Sequence, residues 1–473
     1  MIAMGLAIAL TVAAGYLGAR RYVGRPLEAV LLAPVVTGLL LTPPAVLAVV
    51  TATDPLPWTI ITLLGTNAVL LRMRRTPATR VWHPQSNVLA VALVAVGFAA
   101  VAGIYLSRPP VDWDAHLIWL QHAHWFAVGG QDGRDAFTLT LANHFPHAQY
   151  PPLLPASGGL ASRLVGAGFD WRVAQAAIAA VSWSALATSA AVLIHVLRRR
   201  QWLAAIGALC FVPVVVSRLY VGVANAEADF GAGALLLLAT LALVVAQEDD
   251  LVPLGIIAAS GAALAKGESF TGVLIVVAIA WMRSGTRTRE RDRWLIAPLA
   301  AGFAWLLVSK GLGASNYLFD DPGELSLSRI TDRSAETLRE TMSDLARLGT
   351  PALVSSATLL FLAPTRRVRR ALLGTWIAIV WYCAMTTVVY VLGNFELTGW
   401  LASSLRRICT APELLIVAIL IIVIVSFVDV LVGGDGDARA GPDDGRRSRM
   451  DDGSSAPPHV ARSMATSAAE VPR

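Results

Sequence analysis

The sequence VDWDAHLIWLQHAHWFAVGGQDGRDAFTLTLANHFPHAQYPPLLP, residues 111–155, divides the apolar segments of this chain into an earlier and a later group. It is the one long stretch in which acids, histidines and aromatic residues occur together, and it holds five of the eight histidines. Because the flanking segments are compatible with hydrocarbon, we expect any catalytic or binding site to begin in this stretch.

The composition indicates a polytopic membrane protein. Hydrophobic residues make up 56% of the 473 residues and charged residues only 15%, whereas a soluble domain carries about 25% charged residues. The net charge of +6 does not indicate a nucleic-acid partner, because the arginines lie in short loops between apolar segments, as in membrane proteins. The expected partner is the lipid bilayer.

The apolar segments predict an all-α fold, a polytopic transmembrane helical bundle of about 13 spans, at about 20 residues for each span. An outer-face loop with short interfacial helices is expected between the fourth and fifth spans. The predicted spans are residues 2–19, 27–50, 56–71, 88–106, 173–197, 201–217, 229–246, 251–265, 269–282, 294–310, 350–363, 371–392 and 411–433.

Arginine clusters predict the orientation, since loops that stay in the cytoplasm are enriched in Lys and Arg. The clusters follow the first, third, fifth, ninth and eleventh predicted spans, at residues 20–25, 72–80, 198–200, 283–293 and 366–370. All of them therefore fall on one side. With that side cytoplasmic, we expect a plasma-membrane protein with its N-terminus outside and its C-terminus in the cytoplasm.

Three regions are expected along the chain. Residues 1–87 form N-terminal transmembrane helices to which the sequence assigns no role. Residues 88–433 form the main transmembrane domain, with its first outer loop at 107–155. Residues 434–473 are rich in Gly, Ser, Pro and mixed charge, so we expect a disordered cytoplasmic tail.

Two acids open the outer loop, directly after Pro109 and Pro110. Asp112 and Asp114 flank a tryptophan, and a carboxylate at a membrane–water boundary is ionised at neutral pH. It can therefore serve as a general base or as a metal ligand. The alternative is that one of them caps a helix that begins near Ala115. The sequence leaves both interpretations open.

The next residues have helical spacing and predict a short interfacial helix, with Trp119 and Trp125 as aromatic membrane anchors. The histidines of this loop are His116, His122, His124, His144 and His147. Such side chains can ligate a divalent metal, bind phosphate when protonated, or lie at a wet surface. One alternative is therefore a Mg or Mn site at Asp112, Asp114 and His116, although the spacing matches no dedicated zinc motif.

Further charged residues recur where the chain returns to the same predicted side. Glu227 and Asp229 open a span, and Lys266 and Glu268 join two spans almost without a linker. Ionisable groups at such depth face a cavity or a partner, so Lys266 either neutralises Glu268 or awaits an anionic ligand. Arg407 lies on the predicted outer side, whereas arginine is expected mainly in cytoplasmic loops. This position favours a phosphate-bearing partner.

Taken together, these segments resemble the GT-C superfamily of integral-membrane glycosyltransferases, in particular the bacterial group related to protein mannosyltransferases and aminoarabinose transferases. The resemblance covers roughly residues 88–430. It lies in the order of five motifs: VDWD at 111–114, YPPLLP at 150–155, ANAEAD at 224–229, LAKGES at 264–269 and WLASSLRR at 400–407.

The resemblance implies transfer of a sugar, with inversion, from a polyprenyl-phosphate donor to a glycan, lipid or protein acceptor on the outer face. Asp114 or Asp112 would remove the acceptor proton or help to hold a metal, and Glu227 or Asp229 would orient the acceptor or the metal. Lys266 and Arg407 would meet the donor phosphate. The remaining candidates for substrate binding are His116, His122, His124, His147, Tyr150 and Glu268.

Two other function classes stay open. A transporter or flippase of lipid-linked glycan would need a polar path through the bilayer. A non-catalytic subunit of an envelope-assembly complex would need neither that path nor a catalytic site. An enzyme would instead bring an outer-loop acid, Lys266 and Arg407 together on one cavity.

The predicted orientation can be tested by cysteine labelling in cells. We expect a membrane-impermeant thiol reagent to label Asp132→Cys in intact cells and Arg366→Cys only after the membrane is opened. The native cysteines would first be replaced by serine. The opposite labelling pattern would show that the arginine clusters lie outside.

Overall fold

The structure is a computed structural model that describes residues 2–73, 82, 84–107, 114–143, 147, 149–166, 168–218, 228–283, 293–314, 326–362, 365–393 and 396–433. The side chains of residues 2–7, 73, 105, 138–143, 218 and 433 are outside this description. Throughout the described residues the regular structure is helical, apart from one isolated bridge between Val23 and Trp82. The expected all-α fold is therefore confirmed.

Nineteen α-helices follow one another through the described residues. They are α1 Ile2–Tyr22, α2 Pro26–Val50, α3 Pro55–Met73, α4 Val88–Leu106, α5 Gln121–Val128, α6 Gly130–Asn143, α7 Leu153–Val165, α8 Trp171–Val196, α9 Gln201–Leu209, α10 Phe211–Arg218, α11 Ala228–Thr240, α12 Val252–Ala265, α13 Gly267–Arg283, α14 Ala297–Gly311, α15 Leu327–Phe361, α16 Arg366–Leu392, α17 Leu397–Trp400, α18 Arg406–Ile408 and α19 Thr410–Gly433. Wider π-helical segments precede α5 (Ala115–Leu120), follow α11 (Leu241–Val245) and join α17 to α18 (Leu401–Leu405).

Six helical stretches of the described residues are long and apolar enough to cross a membrane. They are Pro26–Val50, Trp171–Val196, Arg198–Ser217, Ala228–Val245, Arg366–Leu392 and Leu397–Val432. The stretch at Ala228–Val245 is entirely buried inside the protein, so α11 forms the centre of the bundle. A membrane protein is thus supported, while the larger number of spans stays a prediction.

Several predicted spans are helices too short to cross a bilayer alone. Helices α12 and α13 have 14 and 17 residues, fewer than the about 20 residues that a straight span needs. They form a hairpin with Lys266 at its tip. Arg283, at the end of α13, donates to the carbonyl oxygen of Val244, and α13 places the tip about 24 Å from Arg283, at 1.5 Å per residue. At the tip, Lys266 is only 7% exposed. The hairpin therefore turns inside the bundle.

The described part of the outer loop forms short helices, but their aromatic residues are not membrane anchors. Trp119, Trp125 and Phe126 are all at most 6% exposed, so the expectation of an aromatic anchor at Trp119 and Trp125 is wrong. Helix α5 packs so closely on α7 that a Cβ at Gly159 would clash with the carbonyl oxygen of Ala123. Only glycine allows this approach, which encloses the aromatic face.

Described arginines from three of the clusters lie at one end of the bundle, which we name the arginine-rich end (Arg25, His195, Glu248, Arg283 and Arg367). Arg25 donates to the carbonyl oxygen of Ser86 at 2.6 Å, and the backbone N–H of Gln85 donates to Nδ1 of His195 at 3.0 Å. Nε2 of His195 therefore carries the ring proton and donates to Glu248 at 2.7 Å. Arg367 donates to the other carboxylate oxygen at 2.8 Å.

Contacts divide the chain into two units, residues 1–427 and 428–473. The first unit contains the hydrophobic core and every described residue of the predicted site. Of the second unit the structure describes only the end of α19, through Gly433. The predicted disordered tail lies outside the described residues.

The arginine-rich end predicts a pH-dependent contribution of Glu248 to stability. The hydrogen bond from His195, helped by Arg367 and opposed by burial, lowers the pKa of Glu248 to about 2. An acid whose folded-state pKa is lowered stabilises the protein above its ordinary pKa of about 4.3 and loses this effect as the pH falls toward the folded value. We expect Glu248→Gln to lower the melting temperature at pH 5–7 and to match wild type as the pH approaches about 2.

The measurement is thermal unfolding in detergent from pH 7 to pH 2, with Asp250→Asn as the control. Asp250 lies two residues away, and Asp250→Asn should leave the free energy of unfolding within about 0.5 kcal/mol of wild type. A Glu248→Gln deficit that does not change with pH would contradict the role of the carboxylate charge.

Candidate functional site

At the other end of the bundle, the first loop acid and the late arginine form an ion pair. Arg407 lies 2.6 Å from a carboxylate oxygen of Asp114, and the two side chains are 19% and 24% exposed. Asp114 precedes the π-helical turn at Ala115, but its side chain makes no capping hydrogen bond. The capping alternative is therefore wrong for Asp114, whose carboxylate instead meets a residue almost 300 positions later in the chain.

A second group of charges lies deeper, at the tip of the α12–α13 hairpin. The ammonium of Lys266 donates to the carboxylate of Asp229, at the start of α11, and lies 3.7 Å from Glu268. Lys266 and Asp229 are 7% and 6% exposed. Burial of this kind is tolerated only when opposite charges are in contact. The hairpin tip is therefore held against the start of α11 by this ion pair.

The two groups belong to one site. Arg407 lies close enough to Asp229 and Lys266 to act electrostatically on both. We name these five residues, Asp114, Asp229, Lys266, Glu268 and Arg407, the charged cluster. A Cβ placed on Gly267 would meet no atom within 4 Å, so open space borders the backbone next to Lys266. The cluster thus joins a partly exposed edge, at Asp114 and Arg407, to a buried ammonium.

Three stacked rings lie beside the cluster. His147 stacks on Tyr150 with ring centroids 4.6 Å apart, and Tyr150 stacks on Trp119 at 5.3 Å. The left-handed backbone at His147, with φ of 57°, turns the chain so that Tyr150 N–H donates to the His147 carbonyl at 2.9 Å. Burial, with a smaller effect of the Lys266 charge, lowers the pKa of His147 to about 4. Its imidazole is therefore neutral at physiological pH.

Two tyrosines near the cluster were not predicted from the sequence. Tyr382 and Tyr390 are 4% and 0% exposed, and Asp229 and Glu268 act electrostatically on both phenols. The Tyr390 hydroxyl lies 2.6 Å from that of Ser404. The sequence does contain a signal: Tyr382, Thr386 and Tyr390 are four residues apart, which places polar groups on one face of an apolar helix.

The other predicted residues are in different environments. His116 and His124 are exposed, and the His124 ring lies 5.1 Å from that of Phe169. His122 is fully buried and stacks on Trp125 at 4.5 Å. That environment indicates a packing role, so we leave His122 out of the site. Asp112 and Glu227 lie outside the described residues, and their predicted roles stay predictions.

The described residues do not complete the expected metal site. No group of three His, Cys, Asp or Glu side chains comes together there as a set of ligands, and Asp112 is outside that description. Of the expected ligands, Asp114 is in contact with a guanidinium, which competes with a cation for the same oxygens. The Mg or Mn site stays a prediction.

A groove of about 540 Å³ opens beside the cluster, between α9–α10 and α19. Ser217, Arg347 and Glu413 line one end, and Leu203 and Ile424 line the other. The charged end adjoins the cluster, because Arg406, the neighbour of Arg407, donates to the carbonyl oxygen of Ser217. From Ser217 to Leu203 the groove follows 14 residues, about 21 Å of helix. We name it the long groove.

Comparison of the chain with protein-family profiles, with curated proteins and with solved structures finds no match. The site is therefore interpreted from its own geometry.

The burial of Lys266 leads to a test of the cluster's stability. Lys266→Met leaves Asp229 buried without its cation, and breaking such a pair costs about 3–5 kcal/mol. The double variant Asp229→Asn/Lys266→Met should recover most of that loss, because it removes both charges. Unfolding in detergent measures the difference. Lys310→Met is the matched control, since Lys310 is exposed and is the chain's other lysine. A double variant no more stable than Lys266→Met would contradict the pairing.

Proposed function

We propose that this protein is a membrane glycosyltransferase that moves a sugar, with inversion, from a polyprenyl-phosphate donor to an acceptor on the outer face of the plasma membrane. The observation that carries the proposal is the charged cluster. It brings Asp114, Lys266 and Arg407 from three distant parts of the chain to one end of an apolar bundle. An acid for the acceptor and cations for a phosphate are the groups that this reaction needs.

In the proposed reaction, the acceptor hydroxyl oxygen attacks the anomeric carbon from the face opposite the phosphate. The bond between that carbon and the phosphate oxygen breaks, and the bonding electrons leave with polyprenyl phosphate. The hydroxyl proton passes to a carboxylate, Asp114 or Asp112. Configuration at the anomeric carbon inverts because attack and departure occur on opposite faces.

Lys266 and Arg407 stabilise the leaving phosphate as its negative charge grows. Both cations are held by carboxylates before the donor binds, so they are pre-organised for the developing negative charge. Arg407 interacts with both the proposed base and the deeper charges: its guanidinium pairs with Asp114 and acts electrostatically on Asp229. Its several N–H groups allow it to contact a carboxylate and a phosphate together. His147, neutral beside Lys266, adds hydrogen-bonding capacity without further charge.

The long groove offers a place for the donor's hydrocarbon chain. Its apolar end is lined by residues such as Ile206, Ile421 and Ile424, while Arg347 lies at the end that adjoins the cluster. An isoprenoid chain in this groove would carry its phosphate toward Arg406 and Arg407. The charged cluster would thus bind the phosphate of the donor, and the adjacent long groove would bind its hydrocarbon chain.

The packing beneath the cluster supports an enzyme over a transporter. From Leu235 to Val245, the whole described course of the central helix toward the arginine-rich end is buried, and its residues are apolar apart from Thr240. Thr240 donates to the Leu236 carbonyl within the same helix. A transporter or flippase needs polar groups along such a path.

The proposal is tested by glycosyl transfer with the purified protein and a panel of polyprenyl-phosphate sugars. We expect release of polyprenyl phosphate, and a fall of about 10²- to 10⁴-fold in kcat for whichever of Asp112→Asn and Asp114→Asn removes the base. Asp132→Asn changes an exposed acid of α6 and is the matched control. Melting temperature and donor binding would show that each variant is folded.

Two results would overturn the proposal. One is no turnover with any donor by folded protein that binds it. The other is turnover that neither acid substitution changes. Movement of a labelled lipid-linked sugar across vesicles without transfer would instead favour the flippase.

A further inference from the structure

Helix α15 is the longest helix of the described residues, and its two halves differ in what they bury. Its 35 residues extend for about 52 Å, well beyond the roughly 30 Å of the hydrocarbon core. We name residues 327–348 the α15 cover. They bury three side chains, of which two are threonines, whereas the shorter second half buries Ala352, Ser356 and Leu359. With so little apolar burial, the α15 cover has low local stability.

A proline interrupts the helix between the two halves. Pro351 lies inside α15 and has no N–H, so the carbonyl oxygen of Arg347 lacks the hydrogen bond that residue 351 of a regular helix would donate. Gly349 lies two residues earlier, and a Cβ there would make only an ordinary contact, with Ile416 at 3.8 Å. Helices bend at such positions. Residues 349–351 therefore form a hinge.

Two arginines fasten the α15 cover to the end of α16. Arg333 donates to the carbonyl oxygen of Tyr390 from Nε at 3.0 Å and from Nη2 at 2.7 Å. Arg329 donates to the Gly393 carbonyl at 3.2 Å. The last carbonyls of a helix carry partial negative charge, which favours cations there. All three contacts are only partly buried, so water can replace them when the helix lifts.

Further along the α15 cover, two hydroxyls are buried without a partner. Thr337 and Thr341 are 0% and 2% exposed, and within the described part of the chain their hydroxyl oxygens make no hydrogen bond. Thr331 and Thr358 of the same helix instead donate to carbonyls four residues earlier. A buried unpaired hydroxyl costs free energy that contact with water would restore. Desolvation therefore opposes the position that the α15 cover has in this structure.

The α15 cover lies against the chain that leads to Arg407. The π-helical segment Leu401–Leu405 packs on α15, and within it the Ser404 hydroxyl lies 2.6 Å from that of Tyr390. Tyr390 is within electrostatic range of the charged cluster, and Arg407 follows the π-helical segment by two residues. Movement of the α15 cover would therefore expose the polar groups that border the cluster.

We propose that the α15 cover is a lid that turns about residues 349–351 and uncovers the border of the charged cluster at Ser404 and Tyr390. In the closed position the arginines hold α16, and the two threonine hydroxyls are dry. In the open position water pairs both hydroxyls and the released carbonyls. The role of this lid as an entrance for a substrate rests on the proposed function, whereas the opening itself does not.

The test is the rate at which N-ethylmaleimide labels a single cysteine in the purified protein, after the native cysteines are replaced by serine. Thr341→Cys lies on the buried face of the lid. Ala352→Cys is the matched control, because Ala352 is also buried but follows the hinge. We expect Thr341→Cys to be labelled at least about tenfold faster, since labelling of a buried thiol follows the population of the open form.

Two further substitutions should change this rate in opposite directions. Arg333→Gln removes the contacts with α16 and should raise the labelling rate of Thr341→Cys about tenfold. Thr337→Val removes a hydroxyl that is unpaired only in the closed position and should lower the rate about fivefold. The controls are Arg339→Gln, at an exposed arginine of the same helix, and Thr375→Val, whose buried hydroxyl is paired. Both should leave the rate unchanged.

Equal labelling of Thr341→Cys and Ala352→Cys would overturn the proposal, as would a rate that Arg333→Gln does not raise. If the cysteine variants do not fold, hydrogen exchange of the unmodified protein decides the outcome. We expect faster exchange across residues 328–348 than across residues 353–361, and equal exchange would show that no lid opens. Each measurement uses protein without substrate, so failure of the lid and absence of glycosyl transfer are separate results.

Discussion

The contact between Lys266 and Asp229 is the constraint on which the site depends. A buried ammonium is tolerated in an apolar bundle only if a carboxylate compensates it, and here the carboxylate comes from a different helix. This requirement fixes the hairpin tip against the start of α11. Arg407 and Asp114 then add a second pair within electrostatic range. The positions of four chain segments are thereby set by charge compensation in a medium of low polarity.

The sequence predicted the all-helical fold and a membrane protein, because long apolar segments separated by arginine clusters are typical of membrane helices. Six stretches of the described residues can cross a membrane, and the count of about 13 spans stays a prediction. It also predicted Asp114, Lys266 and Arg407 as site residues, and the structure brings these three into one region. A charged residue at the end of an apolar segment is a strong signal of a functional site, because placing a charge there costs free energy. The ion pair of Asp114 with Arg407 was not predicted, because no local sequence pattern contains a partner almost 300 positions away.

Aromatic residues were harder to interpret. Trp119 and Trp125 have the sequence pattern of membrane anchors but are buried, and His122 lies among rings and not in the charged cluster. Tyr382 and Tyr390 were overlooked because tyrosine is common in membrane helices. Whether such an aromatic side chain is buried depends on which helix packs against it. That packing is long-range, as in the α5–α7 contact at Gly159.

The shortness of the α12–α13 hairpin also affects how the chain enters the membrane. Segments of 14 and 17 residues that meet at a lysine are weak candidates for insertion one at a time, since each is shorter than the about 20 residues of a straight span. The compensating carboxylate lies on α11, which is synthesised earlier. When the hairpin is synthesised, the carboxylate that compensates Lys266 is therefore already present in the chain.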